Sequence, residues 1–182
     1  MEVNKTSMDK RKTTVGYAVE LYFKSGESET IHRLFKTTNS ILADIDAKPH
    51  ISLAVFDEVD IPRLCVILHE FAARLEPLTI RFSYIGLFPG TENIVFLAPV
   101  VTESLISAHA MLHRYLADAD MKCHSYYLPG AWVPHCTITA EELLAQATET
   151  IQKIHSAQVL GEYHFDSIHL VKFRPVVSLA SF

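Results

Sequence analysis

Short runs of apolar and β-branched residues alternate along this chain with segments whose apolar residues recur every three to four positions. The runs favour β-strands, because Val, Ile, Tyr and Phe fit the surface of a pleated sheet. The run VGYAVELYF, for example, is apolar at nearly every position. The pattern predicts strands at residues 15–23, 51–56, 78–88, 93–101, 135–139 and 163–173, and one more at 176–182.

Four helices are predicted between these strands from the helical spacing of their apolar residues. The first follows the turn SGES and extends from about Ile31 to Leu42. The starts of the other three are marked by residues that accept hydrogen bonds from the free N–H groups of a first turn. The second helix is predicted to begin after Asp60, and Pro62 is acceptable there because a first-turn residue needs no N–H partner. The third is predicted to begin after Thr102, and the fourth after Thr139, which would form a capping box with Glu142.

The two halves of the chain repeat one plan of strand, helix, short strand, helix and strand. Such a duplicated plan predicts an α+β fold of two lobes, in which two antiparallel sheets face a central cleft and the helices lie outside. We therefore expect residues 14–182 to form a single bilobal domain with interleaved lobes. Residues 1–13 are polar and are predicted to be a flexible N-terminal tail.

Composition narrows the range of partners. The 182 residues carry a formal net charge of −5, so a protein that coats long nucleic acids is not expected, because such proteins have basic surfaces. A nucleotide or an RNA end remains possible, since a local site can be positive on an acidic protein.

The sequence shows no feature of a membrane or secreted protein. No apolar run reaches the length of a membrane span, the N-terminus does not resemble a secretory signal, and the three cysteines lack a CxxC spacing. These features predict a cytoplasmic protein without membrane association. They leave its oligomeric state open, with a monomer as the default expectation.

Two of the ten histidines are followed two residues later by Ser or Thr, and both lie in the same context. His50 and Ser52 occur in the segment PHISL, and His135 and Thr137 occur in the segment PHCTI. Each segment therefore reads Pro-His-apolar-hydroxyl-apolar, and one lies in each half of the chain. A matched pair of this kind is far less expected by chance than two isolated histidine–hydroxyl pairs.

The spacing within each segment predicts a site, because residues i and i+2 of a strand point to the same face. His50 and Ser52 would then face a cleft, and so would His135 and Thr137, while Cys136 would point into the core. Two imidazoles across a cleft suit displacement at phosphorus, in which one accepts a proton from the nucleophile and the other donates a proton to the leaving oxygen. The two hydroxyls can donate to the non-bridging phosphate oxygens.

Paired histidine–hydroxyl motifs on strands of a bilobal α+β chain of this length resemble those of the 2H phosphoesterases. That superfamily includes 2'-5' RNA ligases and phosphodiesterases that open cyclic nucleotide phosphates. The resemblance covers most of the chain from about residue 14. It implies acid and base roles for His50 and His135, phosphate contacts for Ser52 and Thr137, and catalysis without a metal or another cofactor.

The resemblance leaves several alternatives open. Hydrolysis of a 2',3'-cyclic phosphate, cleavage or joining of a 2'-5' linkage, and either assignment of acid and base all fit the motifs. The same cleft can also belong to a module that binds RNA ends or nucleotides without turnover. Trp132 is a candidate for stacking on a base and equally for packing between lobes. Arg174 is a candidate phosphate contact, although a solvated surface arginine is the simpler interpretation.

Overall fold

The computed structural model describes residues 15–38, 40–90 and 93–182. The predicted tail at 1–13 lies outside these residues. Every strand predicted from the pattern is present, with ends that differ by a few residues. The strands are β1 (Gly16–Phe23), β2 (His50–Phe56), β3 (Leu78–Phe88), β4 (Asn93–Pro99), β5 (Cys136–Glu142), β6 (Gly161–Phe173) and β7 (Val177–Ser181).

The helices of the described residues are α1 (Glu29–Thr37), the short α2 (Ile41–Asp44), α3 (Ile61–Ala72), α4 (Glu103–Asp118) and α5 (Leu144–Ala157), with a 3-10 turn at Ser125–Tyr127. Two predicted caps are confirmed. Asp60 accepts a hydrogen bond from the Arg63 N–H at 3.1 Å, and Thr102 accepts one from the Leu105 N–H at 3.3 Å. None of these helices is both long and apolar enough to cross a membrane.

The predicted capping box at Thr139 is wrong. Thr139 lies buried within β5, which continues to Glu142, and α5 begins only at Leu144. The N–H of Leu143 instead donates to the side-chain oxygen of Gln146 at 3.0 Å. Strand pairing with β4 therefore outweighs the local capping signal at this position, as long-range pairing often does.

The strands form an antiparallel sheet in the order β2-β1-β6-β3-β4-β5, with β7 also paired to β6. This confirms the α+β class, but the described strands make one hydrogen-bonded sheet where two were predicted. The long strand β6 is the reason, because its first part pairs with β3 and its second part pairs with β1. Phe165 lies opposite both Phe23 and Leu78, at the point where the two halves of the sheet meet.

The main core lies under one face of this sheet. Leu21, Ile51 and Ile168 face it from three neighbouring strands, and each is at most 1% exposed. Helix α3 adds Leu64 and Phe71, both fully buried. Each such side chain contributes about 2 kcal/mol of hydrophobic free energy. The alternate residues of β1 and β2 consequently face the other side, where the two motifs lie.

Candidate active site

The first motif lies at the start of β2 and faces polar residues of β1. In the antiparallel register, Tyr22 lies opposite His50 and Glu20 lies opposite Ser52. These four side chains therefore share one face of the sheet, as residues at alternate positions must. Ile51 is fully buried on the opposite face. The predicted orientation of the first motif is thus what the structure shows.

The second motif lies at the start of β5, at the other end of the sheet. Thr137 pairs with Phe96 of β4, and the intervening Cys136 is fully buried. The sheet curls so that its end strands β2 and β5 come into contact. The backbone of His50 hydrogen-bonds the Cys136 thiol, and His50 lies close enough to His135 for the two rings to interact electrostatically. The two motifs therefore meet although they lie far apart in sequence.

Both histidine rings are anchored in the same way. Nδ1 of His50 lies 2.7 Å from the carbonyl oxygen of Lys48, and Nδ1 of His135 lies 2.7 Å from that of Val133. A carbonyl only accepts hydrogen bonds, so Nδ1 carries the proton of each neutral ring. Nε2 is left in each case as the nitrogen available for proton transfer.

The surroundings of the two rings differ. The ring of His135 packs against the rings of Phe88 and Phe96, at centroid distances of 5.0 and 5.3 Å. Burial lowers the pKa of His135, the hydrogen bond with the Val133 carbonyl partly opposes this, and the nearby His50 lowers the pKa further, so the neutral form of His135 is favoured. Nε2 of His50, in contrast, lies 3.3 Å from Oε1 of Glu20.

Glu20 was not among the residues expected in the site. Its carboxyl group is buried, which raises the pKa of Glu20, and it accepts a hydrogen bond from the Tyr22 hydroxyl. The sequence did contain a signal for Glu20, because it is a charged residue in the middle of the apolar segment 15–23. A buried carboxyl needs partners, yet the identity of those partners depends on the register of β1 with β2.

The hydroxyl of Ser52 is hydrogen-bonded to the side chain of Tyr127. Tyr127 belongs to the 3-10 turn, and burial raises its pKa, so its phenol stays protonated. Thr137 is partly exposed on the strand that carries the second motif. The structure therefore brings His50, Ser52, His135 and Thr137 to neighbouring positions on two strands in contact.

Trp132 ties the segment before His135 to β2. Its indole N–H donates to the carbonyl oxygen of Ser52 at 3.0 Å. Its ring stacks on His109 of α4, at a centroid distance of 3.9 Å and an interplanar angle of 1°. One face of the indole is thus already covered, and its only polar atom is already bonded. These contacts are those of a packing residue, and stacking on a base, the other role considered for Trp132, stays a prediction.

The neighbouring His109 and His113 are bonded to backbone carbonyls. Nε2 of His109 lies 2.9 Å from the Tyr127 oxygen, and Nε2 of His113 lies 3.1 Å from the Leu53 oxygen. Burial lowers the pKa of His109 to about 4, so its ring is neutral and serves packing. Within residues 15–38, 40–90 and 93–182, no three metal-binding side chains cluster together.

Arg174 is not brought to this site. It lies in the turn between β6 and β7, next to Phe173, which pairs with Gly16 at the start of β1. The site lies at the other end of β1, opposite Tyr22. At roughly 3.3 Å per residue, the two positions are about 20 Å apart along the strand. The expectation that Arg174 contacts the phosphate therefore has no support from the fold.

Cys136 does not act as a nucleophile next to His135. Its side chain points into the core, as the strand alternation predicted, and burial raises its pKa to about 12. Since the thiolate is the reactive form, the group is inert at neutral pH. The thiol therefore adds no reactive group to the two imidazoles and the two hydroxyls of the motifs.

The two histidine–hydroxyl motifs that carry the resemblance to 2H phosphoesterases thus meet on strands of one antiparallel sheet. The profile of the 2'-5' RNA ligase superfamily matches residues 43–175, a span that contains both motifs. The chain belongs to this superfamily.

Solved structures agree on the fold. A phosphoesterase crystal structure is 16% identical, with a TM-score of 0.61, and the match covers 92% of this chain and 96% of the other. Escherichia coli LigT in its apo form is 13% identical, with a TM-score of 0.59 and coverage of 92% and 95%. LigT complexed with 3'-AMP is 15% identical, with a TM-score of 0.59 and coverage of 91% and 95%. No curated protein sequence matches the chain.

Proposed function

We propose that this protein is a metal-independent phosphoesterase that opens 2',3'-cyclic phosphates or cleaves and joins 2'-5' phosphodiesters. His50 and His135 exchange protons with the reacting oxygens, and Ser52 and Thr137 contact the phosphate. The observation that carries the proposal is the pair of neighbouring imidazoles, each anchored at Nδ1 by a backbone carbonyl and available at Nε2.

For a cyclic phosphate the reaction requires two proton transfers. A neutral histidine accepts a proton from water through Nε2 as the water oxygen forms a bond to phosphorus. The bond from phosphorus to one ribose oxygen breaks, and the second, protonated histidine donates its proton to that oxygen. The product is a nucleoside monophosphate, and the two histidines have exchanged protonation states. Joining a 2'-5' linkage is the same chemistry with a ribose hydroxyl in place of water.

The hydroxyls would act on the charge that develops at phosphorus. A hydroxyl that donates to a non-bridging oxygen stabilises the transition state most when it is already oriented. The hydrogen bond with the Tyr127 side chain holds the Ser52 oxygen in place at the site. Structures of LigT complexed with 3'-AMP and with phosphate support a nucleotide and its phosphate as the ligand class.

The test is hydrolysis of a nucleoside 2',3'-cyclic phosphate in EDTA by wild type, His50→Ala and His135→Ala. We expect turnover by wild type, a loss of roughly a thousandfold or more in each variant, and a bell-shaped dependence on pH. His155→Ala, which alters an exposed histidine of α5, is the matched control and should keep full activity. The isomer of the product identifies the P–O bond that breaks.

Other outcomes are equally informative. Turnover that survives both substitutions would refute the assignment of the two histidines. Binding of the cyclic phosphate without turnover would support a module that only recognises RNA ends or nucleotides. Activity confined to 2'-5' linked dinucleotides would select that class of substrate.

A further inference from the structure

We propose that Glu20 is a positioning residue that keeps the transferable proton on Nε2 of His50, so that His50 is the general acid and His135 the general base. This inference rests on the proposed function for its catalytic meaning, although the position of the proton can be tested without turnover.

The contact between Glu20 and His50 is the first observation. Oε1 of Glu20 lies 3.3 Å from Nε2 of His50, and Glu20 is only 6% exposed. Nδ1 of His50 already donates its proton to the Lys48 carbonyl. Whether the carboxyl or the imidazole carries the second proton, it lies between Oε1 and Nε2. In either case the pair holds one transferable proton at the contact between Oε1 and Nε2.

The lack of symmetry between the two histidines is the second observation. His135 is anchored at Nδ1 like His50, but its ring contacts are the apolar rings of Phe88 and Phe96. Such surroundings disfavour a charged imidazolium, which agrees with the lowered pKa of His135. A neutral ring with a free Nε2 lone pair is the form a general base needs.

Other charged or titratable groups around His50 do not provide the same contact. Tyr22 donates its hydroxyl to Glu20, which holds the carboxyl in place. The ring of His169 stacks on that of Tyr22 at 4.1 Å, and burial lowers the pKa of His169. In the described ranges, the charged or titratable groups on the elements around His50 include Glu20 and Tyr22 of β1, His135 beside β5, Cys136 of β5, His169 of β6, Tyr127 of the 3-10 turn and Lys48 next to β2.

The proton can be located by NMR of the histidine ring nitrogens during a pH titration of the whole protein. In wild type we expect His50 to retain its Nε2 proton to a higher pH than His135. In Glu20→Gln, which keeps the shape but removes the acid, His50 should lose its Nε2 proton at a lower pH than in wild type. The titration of His135 should change much less. Spectra of His50→Ala and His135→Ala assign the signals.

The matched control is Asp57→Asn. Oδ1 of Asp57 lies 3.1 Å from Nε2 of His124, beyond the other end of β2. The variant therefore removes a carboxylate that contacts a histidine, but at a position outside the site. It should leave the titration of His50 in place. If Glu20→Gln does not fold, the order of proton loss in wild type still tests the proposal, and Glu20→Asp should give a smaller shift in the same direction.

Two results would overturn the proposal. One is a titration of His50 that is unchanged in a folded Glu20→Gln, which would make Glu20 a structural residue only. The other is a wild type in which His135 keeps its proton to the higher pH.

The pH dependence of turnover tests this inference separately from the proposed function. If cyclic phosphates are hydrolysed, the alkaline limb of the pH–rate profile should move to lower pH in Glu20→Gln, because that limb reports loss of the proton from the acid. An unmoved limb would contradict the role of Glu20 even in an active enzyme. If no substrate is hydrolysed, the proposed function fails, while the NMR titration still decides where the proton lies.

Discussion

The bond from Trp132 to Ser52 is expected to hold the two motifs in register. β2 is the end strand of the sheet, and an end strand leaves backbone groups that need partners. The indole of Trp132 supplies one of these partners, and Val133, the next residue, anchors His135. Trp132→Phe keeps an aromatic ring that can stack on His109 but removes the N–H donor.

The magnitude follows from two losses. The hydrogen bond to the Ser52 carbonyl contributes about 1 kcal/mol, and the smaller ring buries less apolar area, which costs about 1 kcal/mol more. The free energy of unfolding should therefore fall by about 2 kcal/mol. In a protein of this length each kcal/mol lowers Tm by about 2–4 °C, so Tm should fall by about 4–8 °C.

The assay is urea unfolding followed by circular dichroism, together with kcat and KM for the cyclic phosphate. We expect kcat to fall by roughly tenfold with little change in KM, because a small displacement of His135 affects the reacting geometry more than binding. Tyr126→Phe is the control, since Tyr126 lies nearby and is 81% exposed. A Trp132→Phe variant as stable and as active as Tyr126→Phe would refute the argument that this bond holds the second motif.

Three further predictions follow from individual burial sites. The Cys136 thiol should resist alkylation at about pH 8 until the protein is unfolded, because its pKa is raised to about 12; mass spectrometry of the peptide would detect earlier labelling, which would contradict its burial. The free energy of unfolding should decrease as the pH falls from 6.5 toward 4, because His109 stays neutral in the folded state and takes up a proton on unfolding; urea midpoints should show a weaker dependence in His109→Gln. Gly86→Ala should destabilise the protein by about 1–3 kcal/mol and reduce kcat, because the added methyl group meets the Phe96 ring that packs on His135; an unchanged Tm would show that this ring moves freely.

The strands and most helices followed from local periodicity, because alternation and helical spacing record which side chains a single element buries. The two motifs followed in the same way, since the orientation of His50 relative to Ser52 depends only on strand geometry. The capping box at Thr139 failed because pairing with β4 extended the strand through it.

The sequence by itself determined the order of the elements, the α+β class, the matched motifs and the superfamily they indicate. All of these depend on residues that are close together along the chain. Only the tertiary structure decided that β6 joins both halves into one sheet and that the end strands β2 and β5 come into contact. It also decided that Glu20 lies against His50 and that Arg174 lies at the end of β1 away from the first motif. The physical reason is that strand partners and register depend on how well residues distant in sequence bury one another's apolar side chains. A local sequence pattern contains no information about those distant residues.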